Sequence, residues 1–265
     1  MEQARADMLK HIQKNGGDAG MLLNRLNECK LADRRWEFSM HMEGGTLTRL
    51  WWMSPYQQLL AKFFGFVLLL DSSEGKNMFD YHVTTFIVID GNNKSRNIAY
   101  CVHKGRDGET LAWMFGHVKS IISQWQKPES IWSDRDKGII AARKSVWPSV
   151  FHGYCLWHIL DNLRSRLAGV LHAGFEAFMV DFWETYRMGS PAAFDVAWAR
   201  LVNTHAAARN YLQENFYPDR YHWAWASVGT RFVGGTRTTG RVESEHRVLK
   251  TKGLNRRFTS LDSGN

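Results

Sequence analysis

Cysteine is scarce in this chain, with three in 265 residues: Cys29, Cys101 and Cys155. An odd number at wide spacing excludes a disulfide framework and suits a reducing compartment. Proline is also rare, at five, and no Ser/Gly/Pro-rich run occurs. That excludes a long disordered linker. Long apolar runs are missing too. The longest, FFGFVLLL at 63–70, falls far short of the roughly 20 residues a membrane-spanning helix needs. The opening MEQARADMLKHIQKN carries charge but no apolar stretch, which excludes a secretory signal. There is no internal repeat. A soluble, intracellular protein is expected.

What is present is a globular composition, 44% hydrophobic and 23% charged, long enough for one large domain or two small ones. Twelve tryptophans are many, but large aromatics usually pack cores, so they name no function. The net charge of +8 permits binding to nucleic acid or an acidic membrane surface. It is unevenly spread. Arg237, Arg241, Arg247, Lys250, Lys252, Arg256 and Arg257 face only two acids, Glu243 and Glu245, in the same segment. Such a run is either a solvated helix face or a phosphate-binding one.

Residues 1–35 have helical spacing around a Gly16-Gly17 break. WEFSMHM (36–42) and TLTRLWWM (46–53) flank Gly44-Gly45 and predict a hairpin. FFGFVLLLD (63–71), HVTTFIVID (82–90) and RNIAYCVHK (96–104) predict a three-strand antiparallel meander, the first strand covered on both faces. A helix over 109–125, a strand at 130–134, a helix over 135–147, a strand at 149–155 and a helix over 156–167 follow. The expected class is α/β, a mixed sheet with helices on its faces. Residues 168–230 lack strands and place Phe178, Phe182 and Tyr186, then Phe194, Trp198 and Leu201, at helical spacing. They read as an all-helical insertion. A helix over 241–250, capped by Thr239, is the last clear element. The expected divisions are 1–60, an N-terminal helical segment and hairpin; 61–167, the core; 168–235, the insertion; and 236–265, a returning helix with a basic tail.

Two acids end strands: Asp71 the first of the meander, Asp134 the fourth. Were those strands parallel neighbours, both carboxylates would share one sheet edge, where ligands collect. Glu243 on the returning helix could complete an all-oxygen site of the kind Mg²⁺ prefers. Glu245 competes for that role, but points about 200° away on the helix. Each acid also has a plainer reading. Asp134 could simply cap the next helix. Asp136 suits a first helical turn. Asp90, before Gly91-Asn92, suits a turn. Cys155-x-x-His158 is half a zinc site, and Cys101 and His103 would have to complete it across the fold, so zinc is not expected. A Cys-His nucleophile pair would lack an orienting partner.

The order VLLLDSS around Asp71, Lys76-Asn77, Glu109-Thr110 with Trp113, IWSDRDKGIIAA around Asp134, VWPSVFHGYCLWHILDNL with Cys155/His158, and TTGRVESEHRVLK around Glu243 resembles the catalytic core of Mutator-like (MULE) transposases. The similarity covers roughly residues 36–261. It implies a ribonuclease H-like fold and a triad of Asp71, Asp134 and Glu243 that binds two Mg²⁺ or Mn²⁺ ions. The implied chemistry is phosphodiester hydrolysis and strand transfer on transposon ends and target DNA in the nucleus. Cys155 and His158 match the family's C-x-x-H element, whose implied role is structural more than catalytic. The seven basic residues, with the insertion's aromatics, would hold DNA. A homodimer fits the family's habit of working in assemblies, although no heptad stretch supports it. Glu74 stands where the family has an aromatic residue, and the usual Pro-Leu is missing from YHVTTF. The resemblance therefore also admits a domesticated, non-catalytic nuclear DNA-binding or transcription-related protein, since some plant regulators of light response resemble the same family. A nuclease cutting RNA–DNA hybrids is a weaker alternative. The chain is expected to be a fragment, a degraded copy or a core domain lacking its end-recognition parts.

Overall fold

A computed structural model describes residues 17–44, 46–73 and 81–231. Helix α1 (Gly17–Ala32) lays Leu22 and Leu26 against Leu47 and Leu50 of the hairpin β1 (Glu37–Glu43) and β2 (Thr46–Met53). Helix α2 (Pro55–Phe64) follows at once. Ser54 caps it by accepting from the Gln57 backbone N–H, while the Gln57 side chain accepts from the Ser54 N–H, and Pro55 fits the first turn. Phe63 and Phe64 thus belong to a helix and not to the expected strand at 63–71. The strand proper is β3 (Val67–Ser73), followed by β4 (His82–Ile89) and β5 (Ser95–His103). Asp90 makes the β4–β5 turn, its Oδ1 accepting from the Asn92 and Lys94 N–H groups.

Helix α3 (Gly108–Ile122), strand β6 (Ser130–Ser133), helix α4 (Lys137–Val146), strand β7 (Phe151–Tyr154) and helix α5 (Leu156–Leu171) complete the alternating part. The result is a seven-stranded mixed sheet in the order β1-β2-β5-β4-β3-β6-β7. The pairs β3–β4, β4–β5, β1–β2 and β2–β5 are antiparallel, and β3–β6 and β6–β7 are parallel. The expected α/β class and the meander are both present.

One sheet face buries Leu68, Leu70, Phe86 and Val88 under α2, α3 and α4, through Leu60, Phe115 and Ile139 among others. The other face buries Val67, Leu69, Ile87 and Trp132 against Val228. Val228 ends α9 (Trp225–Val228), which follows α6 (Phe175–Tyr186), α7 (Pro191–Thr204) and α8 (Arg209–Asn215). These helices and α5 share a core of their own, with Phe178, Phe182, Phe194, Trp198 and Trp223 at its centre. Each of those rings is at most 3% exposed. The insertion's central aromatics therefore pack one another and are not free to hold DNA, contrary to the sequence expectation. Their spacing served burial, worth roughly 1.5–3 kcal/mol per large apolar side chain. No helix among the described residues is long and apolar enough to cross a membrane.

Candidate functional site

The site is built where β3 and β6 run side by side. Their parallel register pairs Val67 with Ser130, Leu68 with Ile131 and Leu69 with Trp132, a constant offset of 63 residues. The same offset separates Asp71 from Asp134. Side chains alternate along a strand, so Asp71 shares the face of Val67 and Leu69, the face on which the insertion sits. Both carboxylates thus arrive at one edge, at the carboxyl ends of two neighbouring parallel strands.

Asp134 lies one residue beyond β6, in the link to α4. It does not cap that helix. Asp136 does, accepting from the Ile139 N–H at 3.0 Å. Asp134 instead faces Arg106, whose Nη2 lies 3.4 Å from Asp134 Oδ2 and 3.3 Å from Asp136 Oδ2. Arg106 comes from the turn between β5 and α3. Tight packing sets its position, because a Cβ on Gly138 would stand 2.3 Å from the Arg106 carbonyl oxygen. The second oxygen, Asp134 Oδ1, is buried with no hydrogen-bond partner among the described residues. Burial and the neighbouring Asp136 charge push the Asp134 carboxyl up to about 6, and Arg106 only partly offsets them. A carboxylate held at such a cost at a strand end is a mark of a functional position.

Asp71 is 7% exposed and accepts the Ser72 N–H at 2.9 Å. Behind it runs a buried polar chain. His103 Nδ1–H donates to the Gly105 carbonyl at 2.6 Å, so His103 Nε2 accepts from Thr84 Oγ1 at 2.8 Å, and Ser72 Oγ donates to Thr84 at 2.6 Å. A second chain stands behind Asp134. Ser133 Oγ donates to the Asp134 carbonyl at 2.7 Å, so His152 Nε2–H must donate to Ser133 Oγ, also at 2.7 Å. Burial holds both imidazoles neutral, pushing His103 down to about 4 and His152 to about 3. Each carboxylate-bearing strand end is braced by a hydroxyl and a buried histidine. Sequence reading missed both braces and Arg106, because only the strand order brings them together.

Of the three expected metal carboxylates, Asp71 ends up on β3 and Asp134 just beyond its parallel neighbour β6. Glu243 and Glu245, the Thr239 cap, the helix over 241–250, the Glu74 to Asn77 stretch and all seven basic residues from Arg237 to Arg257 lie outside the described residues. Among the described residues no group of three or more His, Cys, Asp or Glu side chains is placed to hold a metal ion. The fit is partial: the orphaned Asp134 Oδ1 is an oxygen that a hard cation would satisfy, while Oδ2 already has a cation. Cys155 directly precedes α5 and is fully buried, with His158 in the first turn of that helix. Cys101 and His103 lie on β5, four strand positions from β7 and so roughly 19 Å away. They cannot complete a zinc tetrahedron with Cys155 and His158.

Comparison with known proteins gives a family match over part of the chain. A protein-family model described as the MULE transposase domain matches residues 67–162. Three relatives in Arabidopsis thaliana are similar over longer or shorter stretches. Protein FAR1-RELATED SEQUENCE 6 is 23% identical over 222 residues, 83% of this chain and 31% of that protein. Protein FAR-RED IMPAIRED RESPONSE 1 is 20% identical over 249 residues, 91% of this chain and 29% of its own length. Protein FAR1-RELATED SEQUENCE 4 is 32% identical over 111 residues, 41% and 15% respectively. The chain spans less than a third of the length of these relatives. The matched segment starts at the strand that carries Asp71, passes through Asp134 and ends in the helix behind Cys155 and His158. Residues 67–162, from the strand that carries Asp71 through Asp134, thus match the MULE transposase domain.

Proposed function

We propose that this domain is a DNA-binding module on a transposase core, working in the nucleus in gene regulation and not as an operating strand-transfer enzyme. Arg106 carries this reading. Its guanidinium bridges Asp134 and Asp136 at 3.4 and 3.3 Å, a resident cation that a divalent ion would have to displace. The relatives support it, since one is named for an impaired far-red response. The central strand order β5-β4-β3-β6-β7, with β3 parallel to β6, supports a ribonuclease H-like core. The basic residues from Arg237 to Arg257 would supply phosphate contacts, so binding should weaken steeply with salt.

A second reading, a retained nuclease, is favoured by the 63-residue alignment of Asp71 with Asp134 and by the orphaned Oδ1. Asp71, Asp134 and Glu243 would then hold two Mg²⁺ or Mn²⁺ ions, which would supply a clamp on the attacking and leaving oxygens of a phosphodiester. This chain's own part would be positional. The hydroxyl–histidine braces fix the two strand ends, and Asp134 must lose its proton before it can bind a cation. The test is duplex DNA binding by fluorescence anisotropy, followed by incubation with Mn²⁺, for the wild type and Asp134→Ala. The regulatory reading expects salt-sensitive binding that Asp134→Ala leaves within about twofold, and no cleavage by either protein. Mn²⁺-dependent cleavage that Asp134→Ala abolishes would replace it with the nuclease.

A further inference from the structure

A cavity of about 440 Å³ opens beside the carboxylate edge, between the end of β7, α5 and α8. We propose that it binds one nucleotide unit, the base against its aromatic wall and the phosphate on Arg135 and Arg166. The inference rests on the DNA-binding reading for its biological source, an unpaired nucleotide of bound DNA.

The chemistry of the lining points to this ligand class. Tyr211 gives the wall its one partly exposed ring, backed by the buried rings of Tyr154, Phe216 and Trp223. Aromatic faces hold bases of any sequence by stacking. Asn162 and Asn215 bring side-chain amides, each with donors and an acceptor, the complement of a heteroaromatic edge. Arg135 and Arg166 bring guanidiniums, whose planar fork matches a phosphate. Both act at the same spot. Burial raises the Tyr211 hydroxyl, and the Arg166 and Arg135 charges oppose the rise, so both fields reach that ring.

Charge balance agrees. Among the described residues Asp219 is the one acid on the lining, and its Oδ2 lies 2.5 Å from Arg135 Nε. That contact uses Nε and leaves the two terminal nitrogens of Arg135 as the group's remaining donors. Arg166 has no acidic partner among the described residues and lies exposed on α5. The cavity therefore keeps a cationic excess. Its volume lies within the roughly 300–1,000 Å³ typical of small-molecule sites. Its position connects it to the carboxylates, since Arg135 directly follows Asp134 and Cys155 directly follows the β7 partner of Ser133. A strand whose backbone crossed the Asp71/Asp134 edge could place an adjoining base there. This also gives Cys155 and His158 a place, as lining residues of a nucleotide pocket and not as zinc ligands.

The test uses 2-aminopurine, whose fluorescence is quenched on stacking. The first probe is its deoxyribonucleoside 5′-monophosphate, with the phosphate-free nucleoside and inorganic phosphate as controls. Saturable quenching is expected, stronger for the monophosphate than for the nucleoside. Arg166→Glu, an exposed change that leaves the fold intact, and Tyr211→Ala should each weaken it about tenfold, the equivalent of one charge-assisted contact or one stack. The second probe is duplex DNA with 2-aminopurine opposite an abasic site, compared with the same base fully paired. Quenching confined to the unpaired base would identify the source as DNA. Quenching of the mononucleotide by a protein that binds no duplex would keep the pocket and overturn the DNA-binding reading. Duplex binding with no quenching of either probe, or quenching that both variants leave unchanged, would overturn the pocket while leaving the DNA-binding reading in place.

Discussion

Asp134→Asn should make the protein more stable at neutral pH, and the size of the gain follows from the structure. The carboxyl is pushed up from 3.8 to about 6, mainly by burial and then by Asp136. At about 1.4 kcal/mol per pH unit, that is roughly 3 kcal/mol against the charged form. The side chain keeps 22% exposure, so about 2 kcal/mol is the working figure. The sign is that of an acid whose folded value lies above its unfolded one. Below pH 3.8 the group is protonated in both states and costs nothing. As pH rises from 3.8 to about 6, the unfolded chain releases the proton that the folded chain still keeps, so stability falls, and above about 6 the folded chain holds the charge at its full cost. Asparagine copies the protonated form and leaves Arg106 its contact with Asp136. The variant should gain about 2 kcal/mol at pH 8, which is about 4–8 °C in Tm for a chain of this size. The gain should shrink as pH drops towards 4. Urea unfolding of both proteins across that range measures it. A variant no more stable at pH 8, or a gain that ignores pH, would mean that Arg106 outweighs the burial. The claim that Asp134 is kept at a cost would then fail.

Three further outcomes are expected. Gly153→Ala should lower the urea midpoint by the equivalent of about 1–3 kcal/mol, because a Cβ there would stand 2.5 Å from the Trp132 ring. Asp136→Ala should cost about 1 kcal/mol by removing the α4 cap, and circular dichroism melting would register it. Acid should destabilise the fold between about pH 6.5 and pH 4, since His103 and His152 stay neutral in the folded state and charge freely when unfolded. His152→Gln should shrink that loss, read as the change in urea midpoint between the two pH values.

Much of this architecture was legible because its signals are local. Alternation and the Gly-Gly turn placed β1 and β2, and β-branched runs placed β4 and β5. Helix α2 was missed because its last residues, Phe63 and Phe64, run on into β3 without a polar break. The signal that marks it lies at the other end, in Ser54-Pro55 with Gln57. Asp71 and Asp134 could be named from sequence, but which acid capped α4 could not, since Asp134 and Asp136 both precede it. Arg106 is 28 residues from Asp134, and nothing local joins them. The insertion's aromatics carried the right spacing and the wrong inference, because helical periodicity marks a buried face whatever the protein binds.

The pairing of β3 with β6 has a consequence for how the molecule is made. The two carboxylates come together only when strands 63 residues apart have found their register, with β4, β5 and α3 folded in between. Contacts at that separation cost chain entropy before they return any stability, and they form late and slowly. A nascent or truncated chain ending before Ser133 can hold the meander and still have half a site. The carboxylate edge therefore exists only once β3 and β6 have paired, and a probe placed at Asp71 would follow that long-range step and not the local meander.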